Sequence, residues 1–410
     1  MPVPPPEGRE RSLALPWARS DRVVPRVVVQ PVERFLHTEA ASGIVLVLAA
    51  LVAVVWANSG WAASYEQLWS TSFDVSIGSF GFHEHLRHVV NDVAMVLFFF
   101  VVGLEIKREL VVGELNDRSK AAMPVIAALG GVVLPALIFV LINLGSSSTL
   151  DGWAIPMATD IAFAVAVLAI LGSRIPSGVR LLLLSIAIVD DIIAITVIAL
   201  FYTEGIDLAW LGLGFGAIAL IVAMRSLGVV RIVPYVVVGV VVWLGFFESG
   251  IHATIAGVIL GLLTPARPIK GRHVLEQLEH SLHPYSALLI VPLFALANAG
   301  IPLSGPVLAD AVASSLFWGI VLGLVLGKAF GISLAIFGAE RFGLAKTPMD
   351  VLPAHVWGIA ALGGIGFTVS LFISQLAYER PDVIEIAKIG IFTGSLISAA
   401  IGVLLLRRRS

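Results

Sequence analysis

Apolar windows near the length of a bilayer crossing fill most of this chain from residue 40 to 406, and they leave few folds open to it. They cover residues 40–57, 86–112, 121–144, 153–171, 179–201 and 209–227, then 232–247, 251–263, 274–299, 317–338, 355–378 and 384–406, twelve in all. About 20 apolar residues are needed for a helix to cross a hydrocarbon core. A hydrophobic share of 58%, a charged share of 13% and a mean hydropathy of +0.98 lie outside the soluble globular range. The expected fold is an all-α polytopic membrane protein with about twelve transmembrane helices. A net charge of -2 gives no reason to expect a nucleic-acid partner, and the absence of cysteine removes disulfides, thiolate metal sites and cysteine catalysis.

The placement of Lys and Arg orients these windows, because cytoplasmic loops carry the excess of positive charge. Residues 116–120, 173–180, 225–231, 267–272, 341–346 and 407–409 are basic, as is the N-terminal arm. Residues 61–85, 145–152, 203–207, 248–250 and 300–310 hold no Lys or Arg, and 379–385 hold one Arg among acids. That alternation puts both termini in the cytoplasm. It also requires the two short windows, 232–247 and 251–263, to be separate crossings, since merging them would invert every later loop. Residues 1–30, rich in Pro and Arg without an apolar core, read as a disordered cytoplasmic extension with weak attraction to anionic membrane lipid, and not as a secretory signal. Residues 31–410 then form a single transmembrane domain. Residues 73–82 alternate apolar and polar around Gly78-Ser79, which predicts a small extracytoplasmic β-hairpin. An isolated hairpin is marginal, so pairing with a second copy in a homodimer is one reading and a solvated surface loop the other.

Asp190 and Asp191 interrupt the apolar run 179–201 near its centre. One acidic residue at mid-membrane costs on the order of 2.5–3.5 kcal/mol on insertion scales, so two in succession point to a site facing water or a cation. Two neutral, hydrogen-bonded carboxyls are the structural alternative, harder to sustain for a pair than for one. Pro156, Thr159 and Asp160 predict an interrupted helix earlier in the chain, and Gly363, Gly364 and Gly366 before Thr368 predict a second. Paired interruptions in two halves point to an inverted-repeat transporter with its site where the broken helices cross, although a glycine cluster alone fits tight helix packing equally well. Lys328 is a lone cation in an apolar window. It either snorkels to an interface or pairs with Asp190 or Asp191, and in the second case its charge depends on what its partner holds.

Two charged clusters lie at cytoplasmic ends: Glu105, Lys107, Arg108 and Glu109 on the second window, and Glu279, His280 and His283 on the ninth. Interfacial anchoring explains most such clusters, while histidines beside a glutamate titrate near neutral pH and suit a pH sensor. His280 and His283 at i, i+3 lack the further ligands of a metal site. His252 reads as a packed polar residue.

The motifs Ala158-Thr159-Asp160-Ile-Ala-Phe-Ala, Leu171-Gly-Ser-Arg174, Ala187-Ile-Val-Asp190-Asp191, Val102-Gly-Leu-Glu105-Ile-Lys-Arg108-Glu109-Leu, Gly250-Ile-His252-Ala-Thr, Pro292-Leu-Phe-Ala-Leu-Ala-Asn298-Ala-Gly, Gly327-Lys328 and Gly364-Ile-Gly366-Phe-Thr368 together resemble the NhaA type of bacterial sodium/proton antiporter, from about Pro31 to the C-terminus. That family is itself an inverted-repeat transporter, so the broken-helix reading and the resemblance are not independent. The resemblance implies a secondary transporter of the bacterial inner membrane, with no cofactor and no enzymatic activity. By the same resemblance it would exchange intracellular Na+ or Li+ for external protons, be electrogenic and pH-regulated, and form a homodimer to which the hairpin contributes. It further implies that Asp191 is the main cation ligand, that Asp190 is its neighbour in exchange and the partner of Lys328, and that Thr159 and Asp160 line the crossing. Glu105, Arg108, Glu109, Glu279, His280 and His283 would form the pH-sensing region, with His252 a further position linked to pH. The N-terminal extension and a recast hairpin depart from the family pattern. An intramembrane aspartyl protease fits poorly, since this chain lacks Gly-x-Gly-Asp and Tyr-Asp motifs on separate helices. A passive cation channel also fits poorly, since a midplane site on broken helices suits alternating access.

Overall fold

The computed structural model describes residues 39–77, 80–172, 175–203, 205–229, 231–268, 271 and 273–407; the expected N-terminal extension, residues 1–30, lies outside them. Helix α1 (Glu39–Ala57) is followed by the short α2 (Ala62–Trp69), bent from it by 116°, so α2 does not continue the crossing. Strands β1 (Ser72–Ile77) and β2 (Phe80–His85) then pair antiparallel, Phe73 opposite Glu84 and Val75 opposite Phe82. The two residues between them, the expected turn, lie outside the described residues. The long helices α3 (Leu86–Val111) and α4 (Arg118–Asn143) come next, then α5 (Ile161–Leu171), α6 (Ser177–Phe201), α7 (Leu208–Ser226), α8 (Ile232–Glu248) and α9 (Thr254–Leu263). The chain ends with α10 (Val274–Asn298), α11 (Gly305–Ala313), α12 (Ser315–Arg341), α13 (Pro353–Leu362), α14 (Phe367–Ala377) and α15 (Pro381–Arg407).

Among the described residues, eight helices are long and apolar enough to cross a membrane, up to ten if each of two bent pairs is one span, and α8 and α9 are shorter apolar helices. Their starts are written locally: Asp117 accepts from Ser119 N at 2.9 Å to open α4, and Asp207 accepts from Ala209 N at 2.8 Å to open α7. Large apolar side chains such as Leu213, Phe215, Leu220, Val236 and Val237 are exposed along α7 and α8. A protein in water hides such faces; one in hydrocarbon turns them outward.

The helices that matter for function are held at short range. The segment Lys328–Arg341 of α12 lies along α4, where a Cβ built on Gly331 would overlap the Gly130 carbonyl oxygen. Only glycine permits that approach, and it fixes the depth of Lys328 one turn earlier. Gly331→Val is expected to lower stability by about 1–3 kcal/mol through overpacking, read as a fall in the thermal unfolding midpoint of the purified protein in detergent. Among the described residues three turns of π-helix, Val90–Ala94, Ser286–Ile290 and Gly323–Gly327, lie inside α3, α10 and α12. Such bulges often mark functional positions, and the third ends immediately before Lys328.

Candidate ion site at the crossing of two broken helices

Both interruptions lie inside windows that sequence reading treated as single crossings. A 3₁₀ segment, Asp151–Met157, contains Pro156 and ends where Ala158 turns extended (φ -77°, ψ 147°); α5 begins three residues later. On the other side α13 stops at Leu362, residues 363–366 follow, and α14 leaves at 45°. The two breaks touch through their backbones. Asp160 N donates to Ile365 O at 2.6 Å, and a Cβ on Gly366 would lie 3.0 Å from Ala158 O, so the absence of a side chain there is a condition of the crossing.

Asp160, 2% exposed, joins the N-termini of both half-helices. Its Oδ1 accepts from Phe163 N at 3.0 Å in α5, and its Oδ2 accepts from Thr368 N at 3.0 Å and from Thr368 Oγ1 at 2.5 Å in α14. Two positive helix ends that would repel each other therefore share one carboxylate. Thr159 Oγ1 donates to Gly363 O at 2.8 Å and so ties the first break to a carbonyl left unpaired by the second.

Lys328 is fully buried, and its ammonium donates to Asp190 Oδ2 at 2.8 Å, Asp190 Oδ1 at 3.0 Å and Thr159 Oγ1 at 3.0 Å. Asp190 is 1% exposed. Residue types alone left the lysine's partner open between Asp190 and Asp191, the resemblance implied Asp190, and the ammonium meets Asp190. Asp191, 6% exposed, accepts no hydrogen bond among the described residues and faces the charges of Asp190, Glu105, Asp160 and Lys328. A buried carboxylate without a donor needs a counterpart, and hard cations favour oxygen ligands of this kind.

The second cluster lies further along α3. Arg108 Nη1 pairs with Glu279 Oε1 at 2.5 Å and Arg108 Nη2 with Glu109 Oε1 at 3.3 Å, while His283 Nε2 lies 3.9 Å from Glu105 Oε1. Glu105 is near enough to Asp191 to interact with it electrostatically, so the cluster and the site are linked through one residue. His280 does not join them. Glu279 and His283 are four residues apart and share a face of α10, whereas His280 is turned about 100° away, is exposed, and makes no ion pair or hydrogen bond among the described residues. His252 precedes α9, at the opposite end of the α3–α9 pair from Glu105, because Gly257 meets α3 at Val96 and Gly261 meets it at Gly103. Thr368, the carbonyl of Gly363 and the π-turn before Lys328 are parts of the site that sequence reasoning did not assign. Thr368 stands two residues after Gly366, and that closeness to the glycine cluster is the signal that pointed to it.

A bundle of apolar helices in which two broken helices cross over a buried carboxylate–ammonium pair is an integral membrane protein of the ion-transporter class. The chain belongs to the Na+/H+ antiporter 1 family, whose model matches residues 33–406. It is similar to the Na(+)/H(+) antiporter NhaA 2 of Erythrobacter litoralis, 46% identical over 372 residues that cover 91% of this chain and 92% of that one. It is likewise similar to the Na(+)/H(+) antiporter NhaA of Escherichia coli, 45% identical over 379 residues covering 92% and 97%, and to NhaA 3 of Frankia alni, 43% identical over 412 residues covering 93% and 89%.

Proposed function

We propose that this protein exchanges intracellular Na+ or Li+ for external protons, with Asp191 as the main cation ligand and Asp190 exchanging its hold on Lys328 during the cycle. The observation that carries the reading is the buried Lys328–Asp190 pair beside an Asp191 carboxylate that accepts no hydrogen bond among the described residues, at the crossing of two broken helices. A carboxylate ligates Na+ only when deprotonated, so proton and cation compete for the same oxygens. With the site open alternately to each side, that competition suffices for exchange. Lys328 gives Asp190 an internal cation to return to when the transported ion leaves. Thr159 and Asp160 keep the crossing closed at its backbone, so its half-helix ends stay aimed at the site. If more than one of Asp190, Asp191 and Lys328 changes its proton per Na+, the cycle moves net charge, which is the electrogenic reading.

The same proposal includes twelve crossings in an inverted repeat, both termini in the cytoplasm of a bacterial inner membrane, residues 31–410 as one antiporter domain, and a homodimer through the β1–β2 pair. The alternation of basic and non-basic loops supports the orientation. Glu105, Arg108, Glu109, Glu279 and His283 form the pH-responsive region in this reading, supported by their ion pairs and by the electrostatic link from Glu105 to Asp191. His252 and His280 are weaker members.

The test is proton flux in proteoliposomes driven by an imposed Na+ gradient, repeated with Li+, across pH and with a clamped membrane potential. Alkalinisation or acidification coupled to the cation gradient is expected, faster when the potential favours net positive charge moving with the protons. Flux of Na+ without proton movement would instead favour a channel, and insensitivity to potential would remove the electrogenic part.

A further inference from the structure

We infer that Asp350 is a positioning residue for the aspartate pair: its carboxylate, on the connection between α12 and α13, anchors the cytoplasmic end of α6, the helix carrying Asp190 and Asp191. This rests on the site assignment above and concerns what holds that site in register.

Helix α6 starts without a cap of its own. Its N-cap is Pro176, whose side chain bonds nothing, and its first turn holds no acidic residue. The first turn of a helix presents unpaired N–H groups and a partial positive charge. Asp350, 172 residues further along the chain, supplies the missing acceptor: its Oδ2 takes a hydrogen bond from Gly178 N at 2.9 Å. The approach is close enough that a Cβ on Gly178 would overlap Asp350 Oδ1, so glycine at 178 is part of the contact.

The connection that carries Asp350 joins two other parts of the site. It leaves α12, which holds Lys328, and enters α13, which ends at Leu362, just before the second break. Ala345 and Val351 are buried and seat it against the core. Helix α6 lies mainly along α4 and only lightly on α13; Lys328–Asp190 ties it to α12 in the interior, and the Asp350 contact ties it at the cytoplasmic end to the connection that follows α12. Twelve residues of helix separate Gly178 from Asp190, roughly 18 Å. During exchange the inner tie must open whenever a cation takes Asp190 from Lys328. The outer tie does not involve the exchanging groups, and it keeps α6 in place while the inner one is broken.

Without that outer tie, α6 samples positions in which the carboxylates do not converge with Thr159 and Lys328. The apparent affinity for cation then falls by the fraction of time the competent arrangement is lost, while a saturating cation restores it. Asp350→Ala in proteoliposomes is expected to raise the apparent KM for Na+ about three- to tenfold, the factor typical of a lost helix cap, with the maximal rate kept within about twofold. Asp350→Asn keeps an oxygen acceptor for Gly178 N and is expected to retain the wild-type KM. Gly178→Ala displaces the same carboxylate without removing its charge and is expected to raise KM like Asp350→Ala, which serves if the latter fails to reach the membrane. A wild-type KM in Asp350→Ala or Gly178→Ala, or an Asn variant as impaired as the Ala variant, would overturn the inference. The site assignment itself is tested by Asp191→Asn and is unaffected by those outcomes.

Discussion

Asp191→Asn is expected to abolish Na+-driven proton movement while leaving the protein folded. The two side chains have nearly the same shape, and the Asp191 carboxylate accepts no hydrogen bond among the described residues, so the change breaks no visible structural contact. Three of the four charges that face it are carboxylates, Asp190, Glu105 and Asp160, so removing a further negative charge relieves repulsion. What is lost is a charged oxygen ligand and an exchangeable proton at the same atoms. Losing about 3 kcal/mol of charge-assisted interaction corresponds to a loss of roughly 100-fold in cation affinity, and the missing proton site removes the coupling at any Na+ concentration. The measurement is the response of a pH-sensitive dye in everted membrane vesicles to added Na+, alongside size-exclusion chromatography to show a folded product. Full retained activity would end the assignment of Asp191 as cation ligand. A normal response in Asp191→Asn with loss in Asp190→Asn would exchange the roles of the two residues.

How much of this was legible in the sequence depends on contrast. Asp190, Asp191, Thr159, Asp160 and Lys328 stand out because each is polar inside an apolar window, where the cost of burial demands a reason. Pro156 and the glycines at 363, 364 and 366 mark the two breaks for backbone reasons that need no neighbours. The pairing within the site was not legible in the residue pattern itself; only the resemblance implied Asp190. Asp190 and Asp191 are adjacent and identical, and only the direction of α6 decides which meets Lys328. Thr368 is an ordinary polar residue until the second helix brings Asp160 to its N–H and hydroxyl. The π-turn at Gly323–Gly327 leaves no sign beyond two glycines common in membrane helices. Asp350 was invisible for a different reason: it sits in a loop read only for its Lys and Arg, and the N-terminus it serves is 172 residues away. His280 follows Glu279 by one residue, so its side chain leaves α10 about 100° away and makes no ion pair with that cluster among the described residues.

Lys328→Met is expected to lower stability by about 3–5 kcal/mol, the usual cost of removing one partner of a buried ion pair. Methionine fills much of the same volume, so the loss reports charge more than a cavity. Asp190, 1% exposed, would be left with Thr159 as a neighbour but without a cation, in an interior where an uncompensated carboxylate is costly. The effect is read as a lowered thermal unfolding midpoint in detergent. The decisive comparison is the double variant, Lys328→Met with Asp190→Asn. Removing both charges leaves a neutral amide beside a thioether, and buried pairs replaced together are often neutral in stability, so most of the midpoint should return. A double variant as unstable as Lys328→Met alone would mean that the lysine acts through the packing of its stem against α4, where its Cδ lies 3.7 Å from a Cβ placed on Gly131. Recovery of the midpoint without recovery of cation-coupled proton flux separates the two roles of the pair: holding α6 against α12, and supplying groups that exchange a proton for a cation.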